Sequence, residues 1–173
     1  MALAQFSSEI RVGWDTAECI SVGLRPQPSV RPDTYVLVDC DGVRLCIAIY
    51  APPLQAMPFS EVAVWHGLVV IGYGSTLYLV RVADRWNTYL PISGYFGSLA
   101  ISDDYCLVAT DSDILRVAAD GTISWRQSGL ALDGVLINRV KDGVIEASGQ
   151  WDPPYAEWLE FRLDLETGQR LDD

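Results

Sequence analysis

Apolar and polar residues alternate with a period of two along most of this chain, which is the pattern of half-buried β-strands. No window shows the spacing of an amphipathic helix. Near the N-terminus the alternation predicts strands at residues 8–14 and 18–24, and a hairpin of 35–39 and 43–50. Residues 25–32 contain three prolines, which cannot donate ladder hydrogen bonds, so an extended loop is expected there. The sequence therefore predicts an all-β protein.

A repeat of about 37 residues fills the chain from residue 61 onward. Three segments align, at 62–72, 99–109 and 136–146, and each consists of an apolar strand, a polar or glycine turn and a second apolar strand. A third apolar stretch follows, and glycine-containing turns lead from it into a fourth strand. The predicted organisation is an N-terminal β segment (1–60), which could supply one further unit, and three repeats at about 61–97, 98–134 and 135–173.

Two stretches resemble a known class of repeat. Residues 158–171, WLEFRLDLETGQRL, are similar to the strand, Asp-x-x-Thr-Gly, strand core of quinoprotein-type repeats, and residues 120–125, DGTISW, resemble the end of such a blade. The unit over residues 61–173 thus resembles a β-propeller blade of the quinoprotein-like or WD40-like kind. The resemblance implies antiparallel four-stranded blades, about three to four in number. It leaves open a four-bladed ring, an open arc, a β-sandwich, or a ring completed by a second copy, and it implies no particular activity.

The chain is strongly acidic, with a formal net charge of −11 over 173 residues. Such a surface repels phosphate groups, which argues against nucleic acid and membrane as direct partners. It favours a basic protein partner, although acidity that only keeps a sheet-rich protein in solution is an equal alternative. The apolar runs are too short to span a bilayer, and the N-terminus lacks the features of a secretory signal. We therefore expect a cytoplasmic protein, unless a leader has been removed.

Residues suited to catalysis or metal binding are few. His66, the single histidine, falls in a predicted turn whose counterparts in the other repeats are also polar, so turn filling explains it better than catalysis. Carboxylate pairs such as Asp111 and Asp113 lie within one turn, whereas acid–base catalysis needs carboxylates from separate elements. The four cysteines lack zinc-site spacing and are expected to be buried free thiols, with Cys40 and Cys46 able to face each other across the hairpin. We predict no catalytic residue, no metal site and no cofactor.

One rim of the predicted blades combines aromatic and acidic side chains. In a blade, the loop between the second and third strands shares a rim with the connection into the next blade, and this mixed composition is typical of protein interfaces. The candidate partner-binding residues are Tyr73, Tyr95, Phe96, Asp111, Asp113, Trp151, Asp152 and Tyr155. The alternative is that Trp151 and Tyr155 fold back and cover an open sheet edge.

Three classes of function remain after these exclusions. The first is a non-catalytic module that binds a basic protein partner through the acidic and aromatic rim; a bacterial immunity or inhibitor protein for a basic toxin would have this size and acidity. The bacterial origin is suggested by the bias toward arginine, since Lys141 is the one lysine. The second class is a scaffold subunit whose blade edges pair with further copies, which allows a homo-oligomer. The third is a hydrolase or lyase that uses carboxylates in a cleft.

Overall fold

The computed structural model describes residues 2–14, 17–24, 30–52, 59–92, 94–152 and 157–171. In these ranges the chain forms strands and turns, and the strands assemble into four separate sheets. The all-β fold class predicted from the alternation is confirmed. None of the described segments forms a helix of the kind that could cross a membrane. The predicted loop at 25–32 and the proline-rich break near 51–58 lie partly outside the described residues.

The first sheet has a topology of its own. It contains β1 (Leu3–Ser7), β2 (Glu18–Gly23), β3 (Thr34–Cys40) and β4 (Val43–Tyr50), in the order β1-β3-β4-β2. The β3–β4 hairpin forms where the alternation placed it, and β2 pairs with β4 in parallel. The prediction of a strand at 8–14 is wrong, because these mostly exposed residues belong to the connection that carries the chain from β1 to the opposite edge.

The other three sheets are antiparallel meanders in chain order. The second sheet contains β5 (Ser60–Trp65), β6 (Leu68–Tyr73), β7 (Thr76–Arg81) and β8 (Asn87–Pro91). The third sheet contains β9 (Phe96–Ser102), β10 (Tyr105–Thr110), β11 (Ile114–Val117) and β12 (Ile123–Gln127). The fourth sheet contains β13 (Val135–Lys141), β14 (Val144–Gln150) and β15 (Trp158–Asp164). The fourth strand that the repeat pattern predicts for this last sheet is represented by a single bridge between Leu163 and Arg170.

Tight two-residue turns explain why the sequence folds into hairpins at these points. Asp41-Gly42, His66-Gly67 and Asp142-Gly143 each place both residues at positive φ. This conformation matches the twist of the two strands that it joins, and glycine adopts it at little cost in the second position. His66 is thereby explained as the first residue of a hairpin turn.

Three apolar clusters fill the spaces between neighbouring sheets. They join the first sheet to the second, the second to the third and the third to the fourth, through residues such as Ile47 with Ile71, Leu79 with Val108, and Leu107 with Phe161. No cluster of the described residues joins the fourth sheet to the first. The sheets therefore follow one another in an arc without observed closure, an arrangement consistent with propeller-like blades.

The two end faces of the arc are protected in different ways. The outer face of the fourth sheet carries charged side chains, among them Arg139 and Glu146, whose Nη2 and Oε1 atoms lie 2.7 Å apart. On the first sheet, the connection after β1 crosses the outer face, where Arg44 Nη1 donates a 3.1 Å hydrogen bond to the carbonyl oxygen of Gly13. Terminal units of repeat folds need outer faces that tolerate water, and both faces meet that need.

Candidate functional site

The connections that were predicted to share a rim are tied together by backbone hydrogen bonds. We call this end of the sheets the upper rim: the ends of β6, β8, β10, β12 and β14 and the connections that follow them. The bonds run from Phe96 N to Gly74 O (2.8 Å), from Asp111 N to Tyr95 O (3.0 Å), from Leu130 N to Ser112 O (2.8 Å) and from Gln150 N to Gly134 O (3.0 Å). Loops from three sheets are thus held in one continuous surface.

A cleft of about 320 Å³ opens in this surface, at the starts of β9 and β13. We call it the rim cleft. It is lined by Phe59, Tyr95, Gly97, Ser98, Thr110, Asp133, Gly134, Val135, Leu136, Gln150 and Trp158. Its walls are mainly aromatic and aliphatic with a few polar groups, and such a cleft lies within the usual size range of binding pockets.

Aromatic rings from three separate parts of the chain form the walls of the rim cleft. Phe59, just before β5, has its ring centroid 5.9 Å from that of Tyr95. Trp158 begins β15, and its exposed fraction of 39% is close to the 48% of Phe59. Gly134 lies between Trp158 and Tyr95, where a Cβ would be in ordinary contact, 3.4 Å from Trp158 and 3.6 Å from the Tyr95 hydroxyl; its φ of 126° is what favours glycine. These rings present apolar faces to solvent that a ligand could cover.

The Tyr95 hydroxyl is bound to an acidic side chain within the cleft. Tyr95 Oη donates a 3.0 Å hydrogen bond to Asp133 Oδ1. Partial burial raises the pKa of Tyr95 to about 12, and the bond to Asp133, its charge and the charge of Asp111 act in the same direction. Tyr95 is therefore a neutral donor at physiological pH, and Asp133 provides a negative charge at the edge of an aromatic cleft.

Asp111 lies beside the cleft in a position that depends on glycine. A Cβ on Gly94 would overlap the Asp111 carboxylate, and Gly94 has a φ of 61°. Asp111 also accepts a 3.1 Å hydrogen bond from Ser112 Oγ. The carboxylate is thus held over the connection that carries Tyr95, which explains its effect on the pKa of Tyr95.

Asp113 lies in the same loop, between β10 and β11, and its side chain stabilises that loop. Its side chain is buried, and its Oδ2 accepts a 2.8 Å hydrogen bond from Arg126 Nε and a second, short one from Arg126 Nη2. Its Oδ1 lies 3.2 Å from Ser112 Oγ, whose one proton is shared with Asp111. The backbone N–H of Asp113 donates to Thr110 Oγ1 at 2.9 Å. A partner could not reach this carboxylate, so its position fits a structural role.

The predicted site residues are only partly brought together. Tyr95 lines the cleft and Asp111 adjoins it, while half-buried Trp151 and exposed Asp152 directly follow β14, whose last residue lines it. Tyr73 does not line the cleft: its ring packs against Phe6 of the first sheet, with ring centroids 5.9 Å apart.

Two of the predicted residues do not fit a direct contact role, and one cannot be placed. Phe96 is fully buried, with its ring over Gly72, so the assignment of Phe96 to an exposed binding rim is corrected to a core position. Asp113 is corrected in the same way, as described above. Tyr155 lies outside the described residues.

Phe59, Asp133 and Trp158 complete the cleft but are not among the candidate residues named from the sequence. The blade pattern does place the connection that contains Asp133 at this rim, although it does not single out Asp133 as a binding residue. Phe59 follows the proline-rich break, and Trp158 falls in a strand pattern that suggested a core position. The cleft forms only when connections from several sheets meet, and no local pattern carries that information.

Other candidate chemistry lies away from the rim cleft. His66 is at the opposite end of β5, where its Nε2 atom lies 2.7 Å from the Asp103 carbonyl oxygen. Among the described residues, no group of three or more histidine, cysteine, aspartate or glutamate side chains is arranged to hold a metal ion. Cys40, Cys46 and Cys106 are buried and Cys19 is exposed, all as free thiols.

Comparison with known proteins adds no relative: no family model matches this chain, and no curated protein matches it significantly.

Proposed function

We propose that this chain is a non-catalytic protein-binding module that holds a basic partner, with an arginine or lysine side chain of that partner in the rim cleft. The observation that carries the proposal is the presence of Phe59, Tyr95 and Trp158 around one cleft with the Asp133 carboxylate at its edge. A cation over an aromatic face gains about 0.5–2 kcal/mol, depending on how far it is desolvated. The carboxylate supplies the opposite charge.

The surroundings of the cleft support a basic partner. Asp111 adjoins the cleft, and the exposed Asp152 and Glu157 flank the loop between β14 and β15. With a net charge of −11, the chain would attract a basic protein over distance and speed the encounter. An immunity or inhibitor protein that holds one basic toxin is a role of this kind.

A self-assembling scaffold is the second candidate, and one observation favours it. The outer edge of β15 is bonded to residues 169–171 only at Arg162, Leu163 and Asp164, and among the described residues no strand pairs with the part of this edge nearer Trp158. Exposed strand edges are the usual site of pairing between chains. Light scattering over a range of protein concentrations distinguishes the two candidates, because a binding module remains monomeric until its partner is added.

The test uses a small basic probe with a neutral counterpart. Acetyl-Gly-Arg-Gly-amide is titrated into isotope-labelled protein, and the indole N–H resonance of Trp158 is followed by NMR. We expect a saturable shift that weakens as salt is added, because screening reduces the attraction between charges. The citrulline peptide, which has nearly the same shape without the charge, should bind more weakly by a factor that corresponds to about 0.5–2 kcal/mol.

Matched variants locate the binding site. Binding by the variants is measured by isothermal titration calorimetry, because Trp158→Ala removes the indole reporter. Trp158→Ala and Asp133→Asn should weaken binding of the arginine peptide, while Tyr89→Ala should not, since Tyr89 is a comparably exposed aromatic residue on β8, outside the cleft. Equal binding of the arginine and citrulline peptides would remove the basis of the proposal. So would an equal loss in Tyr89→Ala.

A further inference from the structure

Two cysteines lie in contact on the outer face of the first sheet. Cys19 of β2 and Cys46 of β4 are register partners in the parallel pair, and their Sγ atoms are 3.0 Å apart. Cys40, which the hairpin spacing suggested as a partner for Cys46, instead pairs with Val43, and Cys46 pairs with Leu37 across the hairpin. Neighbouring strands thus bring together two thiols that are 27 residues apart in the sequence.

The two thiols differ in their access to solvent. Cys19 is exposed on an edge strand, whereas Cys46 is fully buried beneath it. A hydrogen bond with Cys46 lowers the pKa of Cys19 to about 7, against an opposing effect of burial, and the pKa of Cys46 is raised by the same contact and by burial. When Cys19 is a thiolate, Cys46 is the donor. An accessible thiolate beside a protonated thiol is the arrangement of a reactive cysteine and its resolving partner.

From this geometry we propose that Cys19 and Cys46 form a peroxide-reactive dithiol that oxidises to a disulfide between β2 and β4. The site is independent of the rim cleft and of the proposed function.

The reaction needs one molecule of hydrogen peroxide. The Cys19 thiolate attacks one peroxide oxygen, breaks the O–O bond and becomes a sulfenic acid, with release of hydroxide. The Cys46 sulfur then attacks the Cys19 sulfur, the S–O bond breaks, and the S–S bond forms. The released hydroxide and the sulfenic oxygen leave as water, taking up the protons of the two thiols. Two thiols and one peroxide therefore give one disulfide and two waters.

The backbone already has the spacing that this bond requires. Paired strands lie about 4.8 Å apart, which falls within the Cα separations found for disulfides, about 4.4–6.8 Å. The sulfur atoms need to approach by about 1 Å to reach bonding distance. Side-chain rotation can supply that movement without a shift of either strand. The product would tie the edge strand β2 covalently to the interior of its sheet.

The test is oxidation of the full chain with hydrogen peroxide at neutral pH. We expect the intact mass to fall by two hydrogen atoms. After denaturation, iodoacetamide should label Cys40 and Cys106 but neither Cys19 nor Cys46 until dithiothreitol is added. A Cys40→Ala variant should behave like the parent chain. In Cys46→Ala the sulfenic acid cannot be resolved, so dimedone should trap it at Cys19.

Two results would overturn the proposal. One is a wild-type chain in which Cys19 becomes sulfinic or sulfonic acid while Cys46 remains a free thiol. The other is an unchanged Cys19 under conditions that oxidise free glutathione in the same solution. If Cys46→Ala does not fold, Cys19→Ser changes an exposed side chain and provides the same control: the loss of two hydrogen atoms should disappear and the Cys46 thiol should persist.

Discussion

Tyr95 and Asp133 lie in different connections of the upper rim, 38 residues apart in the sequence, and are joined by a 3.0 Å hydrogen bond from the Tyr95 hydroxyl to Asp133 Oδ1. This bond links the strand that enters the third sheet with the one that enters the fourth. It also places a carboxylate beside two aromatic rings, and the proposed binding of a cation in the rim cleft rests on this arrangement. The contact therefore connects the stability of the rim with its proposed chemistry.

The first prediction concerns the ionisation of Tyr95. Asp133→Asn keeps a hydrogen-bond acceptor but removes a negative charge, so the pKa of Tyr95 should fall from about 12 while remaining above 10, because partial burial is the largest cause of the shift. Spectrophotometric titration of the phenolate absorption gives the value, with Tyr95→Phe identifying the contribution of this residue. An unchanged titration in Asp133→Asn would show that the hydrogen bond is absent in solution.

The same shift has a consequence for stability at high pH. The pKa of Tyr95 in the folded chain lies above its ordinary value of 10, so the folded state keeps the proton where the unfolded state has lost it. The stabilisation is fully present below about pH 10 and is lost as the pH rises through about 12. The free energy of unfolding, measured with urea at pH 9 and pH 11, should therefore fall less between these pH values in Tyr95→Phe than in the parent chain. An equal decline would contradict this assignment.

A second prediction follows from the burial of Phe96. Its ring covers Gly72 so closely that a Cβ at Gly72 would overlap it. Gly72→Ala should therefore lower the free energy of unfolding by about 1–3 kcal/mol through overpacking. Phe96→Leu changes the shape of the overlapping side chain. In that background Gly72→Ala should lower the free energy of unfolding by less, because the effects of substitutions at contacting residues are not additive. Equal costs in both backgrounds would show that the ring is not the obstacle.

A third prediction concerns Asp113 and distinguishes a structural role of its side chain from a role in partner binding. Asp113→Ala leaves Arg126 without its buried partner and should cost about 2–3 kcal/mol, less than a fully buried pair because the Arg126 side chain is one third exposed. Affinity for the arginine peptide should not change in the fraction that remains folded. Glu146→Ala, which breaks an exposed pair with Arg139, is the control and should have little effect. If Asp113→Ala weakens binding of the arginine peptide without lowering the free energy of unfolding, Asp113 contacts the partner directly.

How much the sequence reveals depends on whether a feature is local. The hairpin turns at Asp41-Gly42 and Asp142-Gly143 can be read directly, because the conformation of a two-residue turn demands such residues. The shared rim also follows, since strand number determines at which end a connection lies. By contrast, the inward direction of Phe96 depends on where β9 begins, and a shift of one residue reverses the side chain.

Pairing between distant strands is the part that the sequence does not reveal. The parallel contact of β2 with β4 depends on the path of the connection across the first sheet, and that path has no signature in the alternation. For the same reason the hairpin spacing indicates Cys40 as a possible neighbour of Cys46 and gives no sign of Cys19. Phe59, Asp133 and Trp158 meet in the cleft through three separate connections, so composition alone could indicate an aromatic and acidic rim but not its cleft.

The final prediction is that Cys19 is the most reactive thiol at neutral pH. With a pKa of about 7, its thiolate fraction, and hence its rate of alkylation by iodoacetamide, should rise through a midpoint near pH 7. Cys46→Ala removes the hydrogen bond that lowers this pKa, so the midpoint should move up toward the ordinary cysteine value of about 8.5. Cys106 provides the internal comparison, because burial raises its pKa to about 12 and it should stay unmodified in the folded chain. The rates are measured by quenching at timed intervals and quantifying each alkylated peptide by mass spectrometry. If the midpoint in Cys46→Ala stays near pH 7, the contact between the two sulfur atoms is not what activates Cys19.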